Sequence, residues 1–212
     1  MKVGVMGSGD VAKTLAAGFL QHGHKVMIGS REAAKLADWR AEHSMAATGS
    51  FADAANFGDL VVLAVKGSAA AEAVRLAGDG INGKVVIDAT NPIADAPPVN
   101  GVLQFYTELN DSQMERLQRE FPLVRFVKAF NSVGNARMVN PQYAYGRPTM
   151  FICGNDAEAK AVVSGALDEF GWDVADMGAV ESARAIEPLC MLWCIHGFTQ
   201  NEWTHAFKLL HA

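Results

Sequence analysis

The sequence predicts an α/β fold: a Rossmann-type doubly wound parallel sheet, followed by a small C-terminal α/β appendix ending in helix. Three observations carry this. Strand-like apolar runs alternate with helix-like segments through the first 146 residues. Two runs, Leu60–Val65 and Lys84–Asp88, are continuously apolar up to their ends, the pattern of strands covered on both faces. A glycine-rich turn joins the first strand to the first helix.

The elements follow in order. Lys2–Met6 reads as a strand, and Val11–Gln21 as a helix with Leu15, Phe19 and Leu20 on one side and Gly23 just past its end. Lys25–Ile28 is the second strand and Ala33–His43 the next helix. A short strand at Ala46–Thr48 and a short helix at Ala52–Asn56 precede the two continuous strands, with Ala69–Ala77 as the crossover between them. Residues 89–110, with three prolines and a glycine, form a long loop beside the sheet. Helix returns over 111–120, and Val124–Val127 is the sixth strand. The second unit, 147–212, holds a strand at Thr149–Cys153, a helix at Ala157–Phe170 and a strand at Trp172–Ala175. Ser182–Leu210 reads as mostly helical, interrupted by Pro188 and Gly197. About sixty residues hold little core of their own, so this unit should pack on the first or on a second subunit.

Composition narrows the function. The formal net charge is −5, with no Lys/Arg cluster to meet nucleic acid. The opening MKVGVMG is not a signal peptide, and the longest strongly apolar run, Pro188–Ile195, is too short to span a bilayer. Three cysteines without framework spacing point to a reducing, cytoplasmic setting. Cys190 and Cys194 lack the spacing and fourth ligand of a zinc site, and read as small apolar side chains on a buried helix.

Gly7-Ser8-Gly9-Asp10-Val11-Ala12 is a G-x-G-x-x-A at the strand-to-helix turn. Gly7 permits the tight turn, Gly9 lets backbone N–H groups approach a pyrophosphate, and Ala12 lets the helix lie close to the sheet. The helix start supplies free donors and a positive dipole. Asp10 should cap or face solvent, contributing its backbone only. About twenty residues on, a carboxylate normally holds the ribose 2′-OH of NAD. Here the second strand ends Ile28-Gly29-Ser30-Arg31. Ser and Arg donate to a 2′-phosphate where a carboxylate would repel it. Lys35, four residues beyond Arg31, is expected on the same helix face, and Ser8 within reach. Four donors and no acid converge, which selects NADP(H); the competing reading pairs Glu32 with Lys35 or Arg31.

The nicotinamide should lie beyond the carboxyl ends of the later strands. Those ends offer Ala64-Val65-Lys66, then Asn91 before a proline, then Asn131. Asn131 is the candidate for the carboxamide, with a turn-forming role as its rival; Lys66 is a candidate acid, with a solvated strand-end lysine as its rival. No Ser-Tyr-Lys or His-Asp pair stands out to supply a proton. Hydride transfer to a flavin-like ring needs mainly aligned rings and excluded water, so no catalytic acid or base is assigned.

The segments KVGVMGSGDVAKTLAAGFLQHGHKVMIGSRE, VKAFNSVG, FICGNDAEAK and DMGAVESARAIEPLCMLW together resemble the NADPH-dependent F420 reductases and their bacterial relatives. That resemblance implies a Rossmann domain over 1–146, a small domain over 147–212, and a homodimer. It implies NADP held by Ser8, the backbone of 9–12, Ser30, Arg31 and Lys35, and hydride exchange with a stacked deazaflavin, F420, or with FMN or FAD. Three features depart from the archaeal members: a glycine turn shorter by one residue, Lys66 where those carry Pro, and the Pro-rich loop. The membrane ferric reductases share a similar AFN-containing domain. Met191, Trp193 and Phe198 are candidates to line the acceptor pocket, against plain packing. A non-catalytic NADPH sensor and a reductase of a small carbonyl or imine are the alternatives.

Overall fold

The computed structural model describes residues 1–210. The first unit runs β1 (Lys2–Met6), α1 (Asp10–Gln21), β2 (Lys25–Gly29), α2 (Ala37–Glu42), β3 (Ala47–Gly49), α3 (Phe51–Phe57), β4 (Leu60–Leu63), α4 (Ala70–Ala77), β5 (Val85–Asp88), α5 (Gln113–Glu120) and β6 (Arg125–Lys128). The second contributes β7 (Thr149–Ile152), α6 (Ala157–Glu169), β8 (Asp173–Asp176) and α7 (Ala183–Gln200).

Strands β1–β6 form one parallel sheet of order β3-β2-β1-β4-β5-β6. The chain reverses direction across the sheet between β1 and β4, and ligands of such sheets bind beyond the carboxyl ends at that point. Alternation sorts side chains to two cores. Val3 and Val5 of β1 face α1 with its Leu15 and Phe19; Met6 faces the other layer, with Ala54, Val74 and Leu117 from α3, α4 and α5. Every residue of β4 and β5 is buried, as their unbroken apolar runs predict up to Asp88.

The second unit shares the α1-side core. Phe170 packs on Phe19 with ring centroids 4.7 Å apart, and Trp172 donates its indole N–H to Met138 O at 2.8 Å. Burial of side chains this size contributes about 1.5–3 kcal/mol each. Strands β7 and β8 pair in parallel, and Lys128 N–H donates to Cys153 O at 3.0 Å, joining β7 to the β6 edge.

Three segments differ from expectation. The helix expected over Ala33–His43 is a 3₁₀ turn, Ala33–Leu36, leading into α2. Pro188 and Gly197 do not interrupt α7. Pro188 lies within the helix on its exposed side, and Gly197 is where the Trp203 ring lies against the helix. The helix ends at Gln200, because Asn201 turns left-handed (φ 54°), and 201–210 folds back as non-helical chain. There Trp193 and His205 exchange hydrogen bonds at 2.9 and 3.0 Å, and Thr149 N–H donates to Phe207 O at 2.9 Å. The 89–110 loop doubles back through bridges Ile93–Phe105 and Val99–Val102. Among the described residues, no helix is long and apolar enough to cross a membrane.

Candidate cofactor-binding site

The glycine turn lies at the carboxyl end of β1. Gly7 adopts φ 147°, and a side chain there would stand 2.2 Å from Ala64 O and 2.9 Å from the Ala12 methyl. It therefore fixes the turn and the close seat of α1. At Gly9 a side chain would meet nothing within 4 Å, so the space above this backbone is open. Helices α3, α5 and α6 are capped by Ser50, Ser112 and Asp156, whereas α1, like α2, α4 and α7, has no side-chain cap bond, and its cap position is Gly9. The N–H groups of Asp10, Val11 and Ala12 find no protein partner among the described residues. This start can receive an anion. Asp10 is exposed and caps nothing.

A cleft of about 190 Å³ opens from this turn and brings together Gly7, Ser8, Gly9, Ser30, Arg31, Lys35, Ala64, Val65 and Lys66. Ser30 is buried; its N–H donates to Gly49 O at 3.0 Å, and its hydroxyl oxygen accepts from Glu32 N–H at 3.1 Å. Its own hydroxyl hydrogen stays available. Arg31 is exposed and forms no ion pair or hydrogen bond among the described residues. Two expectations need correction. Lys35 does not share a helix face with Arg31, because Glu32 is extended (φ −127°, ψ 101°) and helical structure starts only at Ala33. The cleft is not free of acids either: Glu32 and Glu72 line it. Lys35 lies 2.7 Å from Glu32, and that hydrogen bond and charge hold the Glu32 carboxyl below its usual range.

At the later strand ends, Lys66 is exposed and paired with Asp95 of the 89–110 loop. Asn91 and Asn131 do not line the cleft but are tied to each other. Asn91 Nδ2 donates to Asn131 O at 2.8 Å, and Asn131 Nδ2 lies 3.4 Å from Asn91 Oδ1. Asn131 Nδ2 donates to Ile186 O at 2.8 Å. Its Oδ1 is buried with no partner, in a residue 3% exposed. An orphan acceptor of this kind costs about 1–3 kcal/mol until a donor reaches it.

Beside Asn131 lies a cluster that sequence reasoning missed. Lys128 is fully buried, with Nζ 2.7 Å from Asp88, 3.0 Å from Glu187 and 3.0 Å from Thr90 O. Burial alone would lower its pKa, but the two carboxylates more than offset this and hold the ammonium above its ordinary range. Glu187 also accepts the N–H groups of Gln113 and Met114, each at 3.0 Å, at the start of α5. The available signal was a charged residue closing each of two apolar strands, Asp88 and Lys128.

The three α7 candidates separate. Met191 lines a second cavity of about 170 Å³ with Phe105, Leu109 and Pro188. Trp193 is buried against Trp203 and His205, and Phe198 is half exposed with its ring edge on Trp203. Tyr106, hydrogen-bonded to Gln113, borders a third cavity of about 350 Å³ between α4 and α5. Burial, then the Glu187 charge, pushes its phenol up to about 12.

Comparison with known proteins accords with this geometry. The family model described as NADP oxidoreductase, coenzyme F420-dependent, matches residues 2–92. The F420-dependent NADP reductase of Methanocaldococcus jannaschii is 28% identical over 207 residues, covering 91% of this chain and 90% of that protein. The crystal structure of a provisionally assigned F420-dependent NADP-reductase from Arthrobacter sp. FB24 superposes with a TM-score of 0.93 at 33% identity, over 100% of both chains. The metalloreductase STEAP3 of Rattus norvegicus is 31% identical over 189 residues, covering 89% of this chain. The chain spans about a third of the length of the curated metalloreductases it matches, 36% in that case.

Proposed function

The chain belongs to the family of coenzyme F420-dependent NADP oxidoreductases, and on that premise we propose that it exchanges hydride between NADP(H) and a planar acceptor ring, a deazaflavin of the F420 type or a flavin. The observation that carries the cofactor half is the end of β2. Buried Ser30 keeps a hydroxyl hydrogen free, and Arg31 beside it has no carboxylate partner among the described residues. A 2′-phosphate suits that pair. The uncapped start of α1 and the open space over Gly9 suit a pyrophosphate.

When bound, NADPH supplies the hydride. The chain's own residues bind and orient. Gly7 and Ala12 set the cradle, and Arg31 selects the phosphorylated ribose. Asn131 Oδ1, a buried acceptor awaiting a donor, is assigned to the carboxamide N–H of the nicotinamide. A hydride passed between stacked rings needs alignment and dryness more than an acid or base, so Lys66, paired with Asp95, is given no proton-transfer role. The same reading pairs two chains through the exposed Val99, Leu192 and Phe198, where the loop tip meets α7. A single-chain mass in equilibrium sedimentation would remove that part.

The test is direct. Under anaerobic conditions the protein is mixed with NADPH and, separately, with F420, FMN, FAD and quinones, while nicotinamide absorbance is followed. Rapid loss with F420 or a flavin is expected. Tight NADPH binding with no loss for any acceptor would replace the reductase by a sensor.

A further inference from the structure

We propose that Glu187, Lys128 and Asp88 are positioning residues for the nicotinamide end of the site, acting through Asn131. The inference rests on the assignment of Asn131 Oδ1 to the carboxamide. Asn131 offers that oxygen because its Nδ2 is committed elsewhere, chiefly to Ile186 O at 2.8 Å and more weakly to Asn91 Oδ1 at 3.4 Å. The places of the Ile186 carbonyl and, secondarily, of the Asn91 amide therefore decide which end of the Asn131 amide is left free.

Ile186 is the chain neighbour of Glu187, and Glu187 is held from two sides. Its carboxylate lies 3.0 Å from Lys128 on β6, the strand that leads into Asn131. It also accepts the Gln113 and Met114 N–H groups at 3.0 Å each, which ties α7 to the start of α5. Lys128 in turn meets Asp88 at 2.7 Å and Thr90 O at 3.0 Å. Thr90 precedes Asn91, whose side chain donates to Asn131 O at 2.8 Å. The charged cluster thus fixes both the acceptor of the Asn131 side chain and the donor to its main chain.

Stability alone does not account for this arrangement. A buried ion pair is often no better than apolar side chains of the same volume. Three charges here stand beside the unpartnered Asn131 Oδ1, at the strand ends where a ring would lie.

The experiment compares NADP⁺ with its analogue in which an acetyl group, lacking the N–H, replaces the carboxamide. The parent protein is expected to bind NADP⁺ roughly tenfold tighter than the analogue. Asn131→Ala should bring that ratio close to one. Glu187→Gln should bring it to within about twofold of Asn131→Ala, with no further fall in the double variant. Affinity for adenosine 2′,5′-bisphosphate, which reaches only the Arg31 end, should stay unchanged in all of them. A preference lost in Asn131→Ala but kept in Glu187→Gln overturns the positioning role alone. A parent with no preference overturns the Asn131 assignment and this inference with it. Loss of bisphosphate affinity in Glu187→Gln assigns the cluster to the fold in general and overturns the proposal. Should Glu187→Gln not fold, the same comparison on Asp88→Asn decides it.

Discussion

The Lys35 ammonium lies 2.7 Å from the Glu32 carboxylate, and both side chains stand on the rim of the cleft beyond β2. Glu32 therefore occupies Lys35 and sets a negative charge near the phosphate end. Glu32→Gln should tighten NADPH binding by roughly two- to fivefold, since exposed pairs exert small effects. Added salt should shrink the gain. Fluorescence titration at two ionic strengths measures both; weaker binding by the variant would show that Glu32 assists the cofactor.

Arg31 carries the stronger prediction. Arg31→Ala should weaken NADPH by roughly ten- to a hundredfold, the range for a hydrogen bond to a charged group, and leave NADH unchanged. Equal losses for both nucleotides would remove Arg31 from 2′-phosphate selection.

The two glycines of the turn should respond differently. Gly7→Ala forces a side chain onto Ala64 O at 2.2 Å from a backbone with φ 147°, so its thermal midpoint should fall by several degrees. Gly9→Val sets its Cβ in open space and should melt close to the parent, yet bind NADPH at least tenfold more weakly. Calorimetry and titration on the two proteins separate the effects. A Gly9→Val protein that binds normally would move the pyrophosphate elsewhere.

Acid stability should depend on Glu115. Its hydrogen bond to Arg184, with contacts as close as 2.6 Å, outweighs burial and lowers the carboxyl below its ordinary 4.5. A carboxyl with a depressed native pKa binds protons more readily when unfolded, so its stabilisation is present above about pH 4.5. That stabilisation is lost as pH falls through the native value. Glu115→Gln should therefore be less stable than the parent at neutral pH and converge with it in acid. Urea midpoints across pH 3–7 check this; a constant difference would deny the linkage.

Much of this was written in local sequence. Gly7, Gly9 and Ala12 act within one turn, and the continuous runs of β4 and β5 mark a two-layered parallel sheet. Ser30 and Arg31 were findable because the strand end lies at a fixed distance from the glycines. The Glu32–Lys35 pair was harder: one extended residue moves the helical start to Ala33, and side-chain rotamers then choose between rival partners. Asn201 stops α7 by turning left-handed, without the usual glycine or proline signal. The Asp88–Lys128–Glu187 cluster joins three distant parts of the chain. Each member alone resembles an ordinary surface charge, and only the packed fold shows that all three are dry.

The bridge from Lys128 to Cys153 has one more effect. Open sheets risk adding foreign strands along their rims, and aggregation begins there. Here one rim is the three-residue β3. Across the other, Gly154 lies so near that a methyl on it would stand 2.5 Å from Phe126 O. Neither rim offers a long ladder of free backbone groups, so this six-stranded sheet resists growth by added strands.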